Sequence, residues 1–258
     1  MTKAIEISNY RQIKKNIDEF GYVIIKNVYK KRDLDNLKKR LLDVLHYIHP
    51  KKIDDLNKKY FQVKKFNKKL KGNFFDMLQH EQTLLKLLYD DRIINIVRKY
   101  FNSKVIFSGR PSIHIHDSDG DRFLEPHQET NQFARDFLFI WAPVFDANIN
   151  QGSIVVYDKS HKNGYYKHTP NNKLGSSHIE KNIYKKFNKR ILNVKSGEAL
   201  LLHSAVIHGT WETKKKGFVK YILCDRYNPL KNIPYLKDSK FKTKKIPHFG
   251  IDYNSIND

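Results

Sequence analysis

An imidazole and a carboxylate stand two residues apart in Pro126-His127-Gln128-Glu129. On an extended backbone alternate side chains leave the same face, so His127 and Glu129 can reach one point. Two ligands do not hold a metal ion. A third neutral imidazole is available from His208, which follows the apolar run Ala199 to Ile207. Two histidines and one carboxylate on one face of a metal leave its other positions open, the arrangement with which non-haem Fe(II) oxygenases admit O2 and a chelating co-substrate. Oxygenase chemistry is therefore the first reading of these residues.

Other groups compete for the same role. His114-Ile115-His116 is a His-x-His pair on an expected strand, and with Glu125 it offers a cupin-type alternative. The long step from His116 to Glu125 and the lack of a matching distal Gly-rich motif count against it. His203 competes with His208 as third ligand, and the Gly209-Thr210 context favours His208. Cys224 is the only cysteine, which excludes a zinc centre built on several thiolates and any intramolecular disulfide.

The elements that must position these groups divide the chain into two textures. Residues 1–102 read as a mostly helical scaffold. An amphipathic helix is expected over Arg11 to Phe20, a buried strand at Tyr22-Val23-Ile24-Ile25, and a core-facing helix over Lys31 to Ile48 from the recurrence of Leu34, Leu37, Leu41 and Leu45. A Lys-rich helix is expected within Asp54 to Gly72, and two more at Thr83 to Tyr89 and Asp91 to Phe101. Residues 103–230 turn to short β-rich runs between polar turns: Lys104 to Ser108, Ser112 to His116, Phe137 to Phe145, Ser153 to Tyr157, Ile191 to Val194, Glu198 to His203 and Phe218 to Arg226. Many short strands after a helical start predict an α+β, mainly β fold, an antiparallel jelly roll or barrel with helices packed outside it. Asp158 to Arg190 is polar and reads as a long loop over the mouth. Residues 231–258 form a C-terminal extension.

Composition bounds the setting. A chain of 258 residues predicts one domain with one sizeable core. The formal net charge of +22 rests mostly on lysines scattered along the whole length. That pattern fits compositional bias better than a nucleic-acid or membrane-binding patch, and no nucleic-acid partner is expected. The N-terminus lacks the apolar core of a signal peptide and no run is apolar enough to span a bilayer, so a soluble cytoplasmic protein is expected.

Four stretches carry a family resemblance: Phe20-Gly21-Tyr22-Val23-Ile24-Ile25-Lys26-Asn27-Val28; Pro126-His127-Gln128-Glu129; Trp141 followed by Gln151-Gly152-Ser153-Ile154-Val155-Val156 and Ser160-His161-Lys162; and Gly197-Glu198-Ala199 running into His208-Gly209-Thr210. In order and spacing they resemble the phytanoyl-CoA dioxygenase (PhyH-like) family of Fe(II)/2-oxoglutarate oxygenases. The resemblance implies a double-stranded β-helix, a form of jelly roll. It also implies Fe(II), 2-oxoglutarate and O2 as cofactor and co-substrates, and His127, Glu129 and His208 as metal ligands. Glu129 stands where the family more commonly has Asp; keeping a carboxylate there disfavours the related halogenases and favours hydroxylation or another oxidation.

The same resemblance assigns Thr210 to the far carboxylate of 2-oxoglutarate, Trp141 to the wall beside it, and His161 to structural support near the mouth. The family's anchoring Arg, eleven residues past the distal His, is replaced here by Val219. Lys220 is next, and one extra residue in the turn Lys214-Lys215-Lys216-Gly217 restores register, because a turn absorbs an insertion whereas a slip within a strand turns every side chain over. Lys220 is thus the expected anchor, with Arg226 on the same strand face to assist and Arg110 a further basic residue within reach. A Lys neutralises a carboxylate without Arg's planar fork, which implies weaker binding of 2-oxoglutarate. Arg122, Asn131, Gln132, Arg135 and Tyr157 are expected at the mouth. Their polarity suggests a small hydrophilic or anionic substrate such as a sugar derivative. A metal-binding jelly roll without oxygenase activity and a basic polyanion-binding protein remain the other two classes.

Overall fold

The computed structural model describes residues 3–67, 69–70, 74, 77–109, 111–119, 124–129, 136–171 and 176–232. Strand β1 (Ile5–Glu6) leads into helix α1 (Tyr10–Phe20) and strand β2 (Tyr22–Lys26). Among the described residues there follow the helices α2 (Lys31–Ile48), α3 (Leu56–Phe66), α4 (Gln82–Leu88) and α5 (Asp91–Phe101). Their apolar residues fall at helical spacing, so α2 buries Leu34, Leu37, Leu41 and Leu45 on one face and leaves its charges in water. The boundaries have local causes. Asp90 caps α5 by accepting a hydrogen bond from the Arg92 amide, and Arg98 and Lys99 in its last turn complement the helix dipole.

The strand-rich part supplies β3 (Ile106–Ser108), β4 (Ser112–Asp117), β5 (Leu138–Pro143), β6 (Ile154–Tyr157), β7 (Thr169–Asn171) and β8 (Ser176–His178). After the short helix α6 (Lys181–Tyr184) come β9 (Lys189–Ile191), β10 (Ala199–His203), β11 (His208–Thr210) and β12 (Val219–Pro229). A seven-stranded sheet runs β1-β2-β10-β5-β12-β3, with β4 also paired to β12. A three-stranded sheet runs β11-β6-β9, and β7 and β8 form a separate hairpin. The sheets stack as a jelly roll and do not close into a barrel.

Alternation along each strand assigns its side chains to one of two cores. Val23, Ile140, Leu201, Val219, Tyr221 and Leu223 pack against the helices. Ile24, Trp141, Leu200, Leu202, Ile222 and Cys224 face the smaller sheet and meet Ile154, Val156 and Val194. The larger sheet is thus apolar on both faces, and its cavity-side face holds the functional groups.

The buried strand expected at Tyr22-Val23-Ile24-Ile25 is β2, which lies inside the larger sheet with Leu201 opposite Val23. One expectation needs correction. The stretch Asp158 to Arg190 is not a structureless loop. It contains a 3-10 turn (Ser160–Asn163), the β7–β8 hairpin, α6 and the start of β9, and it packs through Tyr157, Ile179 and Ile207 with Tyr166, Tyr184 and Phe187. Its aromatic residues are spaced irregularly among Asn and Lys, so no period announces elements of three or four residues. Residues 233–258 lie outside the described residues.

Candidate active site

Residues 124–129 run antiparallel to β11, and the contact is close. The His127 amide donates to the His208 carbonyl at 2.8 Å, the His208 amide donates back at 2.9 Å, and the Thr210 amide donates to the Leu124 carbonyl at 2.9 Å. His127 and His208 are therefore direct cross-strand partners, with ring centroids 4.5 Å apart. Such an approach requires Gly209 between them and Thr210: a Cβ there would lie 2.9 Å from the Leu124 carbonyl oxygen. Glu129, two residues after His127, is anchored by its amide to the Ser204 carbonyl at 3.0 Å.

The side chains converge. His127 Nε2 lies 3.8 Å and His208 Nε2 3.4 Å from Glu129 Oε1, and the three ligand atoms all lie within 4.8 Å of one another. Ligands sharing one face of a metal at about 2.1 Å stand about 3 Å apart, so small side-chain adjustments fit an ion. The tautomers suit it too. Each Nδ1 faces a backbone carbonyl that can only accept, Glu125 at 2.7 Å for His127 and Val206 at 3.0 Å for His208. Nδ1 of each ring therefore carries the proton, and each Nε2 turns a lone pair toward the centre.

Electrostatics agree with ligation by neutral imidazole and ionised carboxylate. Burial, then the neighbouring His127, pushes the His208 pKa down. Burial opposes the charge of Glu129, but the neighbouring Arg226 guanidinium outweighs it and holds the carboxyl well below its usual range. The same cavity wall carries His114, His116, Trp141, Thr210 and Lys220.

Lys220 is 3 % exposed and faces this cavity, while Val219 is fully buried in the helix-side core with Tyr221 and Leu223. The period of the strand makes the two positions opposite. Gly152, at φ +80°, lies under the ammonium, and a Cβ there would stand 3.2 Å from Lys220 Nζ. Thr210 pairs with Ile154 at the start of β6, and Trp141 lies opposite Cys224 of β12.

Arg226 behaves differently from the expectation that it assists Lys220. Six residues of strand separate the two by about 20 Å, too far for both side chains to meet one carboxylate. Its Nε and Nη2 instead reach Glu129 Oε2 at 2.7 and 2.6 Å. Tyr157 is buried against Tyr184 and does not stand at the mouth. Arg110, Arg122, Asn131, Gln132 and Arg135 lie outside the described residues.

The competing histidines also find places. His203 packs against His161, with centroids 5.7 Å apart, and its Nδ1 accepts from the Ala205 amide at 3.2 Å. Glu125 pairs with His178 at 3.3 Å rather than with a metal cluster. His114 and His116 lie on β4 opposite Ile222 and Lys220, so the pair considered as a rival site forms part of the same cavity. Its His-x-His alternation was the available signal. Gln128 gave none, yet it is buried and fastens the covering segment: its Nε2 donates to the Gly164 and Ala205 carbonyls at 2.8 and 2.7 Å, and its Oε1 accepts from the Tyr166 amide at 2.8 Å.

Comparison with known proteins places the fold. No curated protein matches the sequence. Among solved structures, the chain is similar to the non-haem α-ketoglutarate-dependent epimerase SnoN from nogalamycin biosynthesis, with TM-score 0.62 and 11 % identity over 86 % of this chain and 84 % of that one. It is similar to AviO1 from Streptomyces viridochromogenes Tue57, with TM-score 0.61 and 10 % identity over 87 % and 97 %. HygX from Streptomyces hygroscopicus, solved with nickel and 2-oxoglutarate bound, matches with TM-score 0.56 and 15 % identity over 85 % and 86 %. These likenesses are of fold. The phytanoyl-CoA dioxygenase (PhyH) family model matches residues 17–215, and the chain belongs to that family of non-haem, 2-oxoglutarate-dependent oxygenases.

Proposed function

We propose that this enzyme hydroxylates a small polar metabolite, with Fe(II) held by His127, Glu129 and His208 and 2-oxoglutarate held by Lys220 and Thr210. The observation that carries the reading is the convergence of two Nε2 lone pairs and one carboxylate oxygen on a cavity that also receives a buried ammonium. Iron bound there, with 2-oxoglutarate and O2, supplies the oxidant for a C–H bond while the co-substrate leaves as succinate and CO2.

The chain's own residues do the positioning. The His127 and His208 rings are oriented by their Nδ1 hydrogen bonds, so they meet a metal with only small adjustments. Lys220 neutralises the far carboxylate of 2-oxoglutarate, and the Thr210 hydroxyl donates to the same group. Trp141 closes one wall and keeps water from the pocket. His114 and His116 make the remaining wall polar, which supports a hydrophilic substrate over a bare hydrocarbon.

The test is anaerobic titration with Fe(II) and 2-oxoglutarate. A weak visible charge-transfer band is expected from the chelate, lost in His127→Ala, Glu129→Ala and His208→Ala. Iron binding without any effect of 2-oxoglutarate would point instead to a metal-binding jelly roll.

A further inference from the structure

The carboxylate ligand is the least constrained member of the triad by its own covalent structure, since Glu has one more rotatable bond than Asp. Left free, Glu129 would lose that rotamer freedom on binding a metal. The structure removes it in advance. Arg226 Nε donates to Oε2 at 2.7 Å and Nη2 lies 2.6 Å from the same oxygen, which leaves Oε1 facing the two imidazoles.

Arg226 is itself held on several sides. Its amide donates to Asp225 Oδ1 at 2.6 Å, its carbonyl accepts from the Gly109 amide at 2.7 Å, and its guanidinium lies 5.4 Å from the Phe139 ring centroid. Phe139 also stacks on the His208 ring, with centroids 5.9 Å apart and planes at 25°. One buried aromatic side chain thus contacts the guanidinium that orients one ligand and the imidazole that is another.

We propose that Arg226 is a positioning residue: it fixes Glu129 as a ligand through one oxygen only and so sets metal affinity. Arg226 and Glu129 form a matched pair, in which the arginine provides the restraint that the longer carboxylate lacks. The inference rests on the metal-site reading above and adds a role in metal binding for a residue expected at the co-substrate.

The experiment is anaerobic titration of the full chain with Co(II), read by its visible ligand-field absorption. A second titration with 2-oxoglutarate follows at saturating metal. Arg226→Gln is expected to weaken Co(II) binding by about ten-fold or more and to change the shape of the absorption as the carboxylate is released. Affinity for 2-oxoglutarate should stay the same. Arg226→Lys keeps the charge but not the fork, and should fall between the two. It also serves if Arg226→Gln leaves Glu129 too poorly paired to fold. In a Glu129→Asp background the shorter side chain withdraws from Arg226, so Arg226→Lys should then cost much less, a non-additive cycle. Unchanged metal affinity in folded Arg226→Lys and Arg226→Gln would overturn the inference, as would a loss of 2-oxoglutarate affinity with metal binding intact. Failure of the unaltered chain to bind metal would overturn the underlying reading of the site instead.

Discussion

At the scale of residues, the deciding contrast is between Val219 and its neighbour. Val219 is fully buried among helix-side apolar groups, and Lys220, 3 % exposed, faces the cavity. Lys220→Ala would leave a carboxylate in a desolvated pocket without its cation, and should weaken 2-oxoglutarate binding by about 2–5 kcal/mol in an isothermal titration at saturating metal. Lys220→Arg should retain binding. Val219→Arg should not improve it and should lower thermal stability, because it drives an unpaired charge into the core between sheet and helices. Equal 2-oxoglutarate affinity in Lys220→Ala and the parent would remove Lys220 from the anchor role.

At the scale of elements, the site depends on residues 124–129 lying between β11 and the segment that follows β6. On one side the backbone meets His208 and Thr210; on the other, the Gln128 amide donates to His168 Nε2 at 3.0 Å and the Ile179 amide donates to the Pro126 carbonyl at 2.8 Å. Gly209→Ala would place a Cβ 2.9 Å from the Leu124 carbonyl oxygen and push this stretch off β11. His127 would then move away from His208, so metal affinity should fall by more than ten-fold while far-ultraviolet dichroism is retained. A Gly209→Ala chain that binds metal normally would show that the close approach is dispensable. Gln128→Leu should act on the other side, removing three side-chain hydrogen bonds, one buried with Ala205 and two part-buried with Gly164 and Tyr166. The buried Ala205 carbonyl then loses its partner at a cost of about 1–3 kcal/mol. Faster amide exchange confined to residues near Tyr166 is the expected readout, and protection equal to the parent would count against the clamp.

At the scale of the whole molecule, stability should depend on pH through a histidine outside the metal site. Burial, then the neighbouring His161, holds the His203 pKa down at about 4, against an ordinary value of 6.5. Between those values the unfolded chain takes up a proton that the folded chain does not, so stability falls as pH drops through this window and is flat for this group above it. The difference amounts to at most about 3 kcal/mol. His203→Gln should flatten the fall in urea midpoint between neutral and mildly acid pH. Identical slopes in parent and variant would dismiss His203 as its source. No helix among the described residues is long and apolar enough to cross a membrane.

The same contrast between local and distant information separates what was readable from what was not. Periodicity alone determined most elements: α2 spans the expected Lys31–Ile48, and the strands of the larger sheet other than β1, which was not expected, fall within a few residues of their apolar runs. The two-residue period of β12 also determined that Val219 and Lys220 point opposite ways, because a regular strand admits no other outcome. His127 and Glu129 share a face for the same reason. What only the tertiary structure decided lies across long separations. Arg226 meets Glu129 over 97 residues, Gln128 meets the Ala205 carbonyl over 77, and His114 and His116 enter the same cavity through their pairing with β12. A side chain's type and spacing specify which way it leaves the backbone, but its partner is chosen by which strands become neighbours. That choice is made by the packing of two sheets and a helical layer, and no local pattern within residues 124–129 or 219–229 contains it.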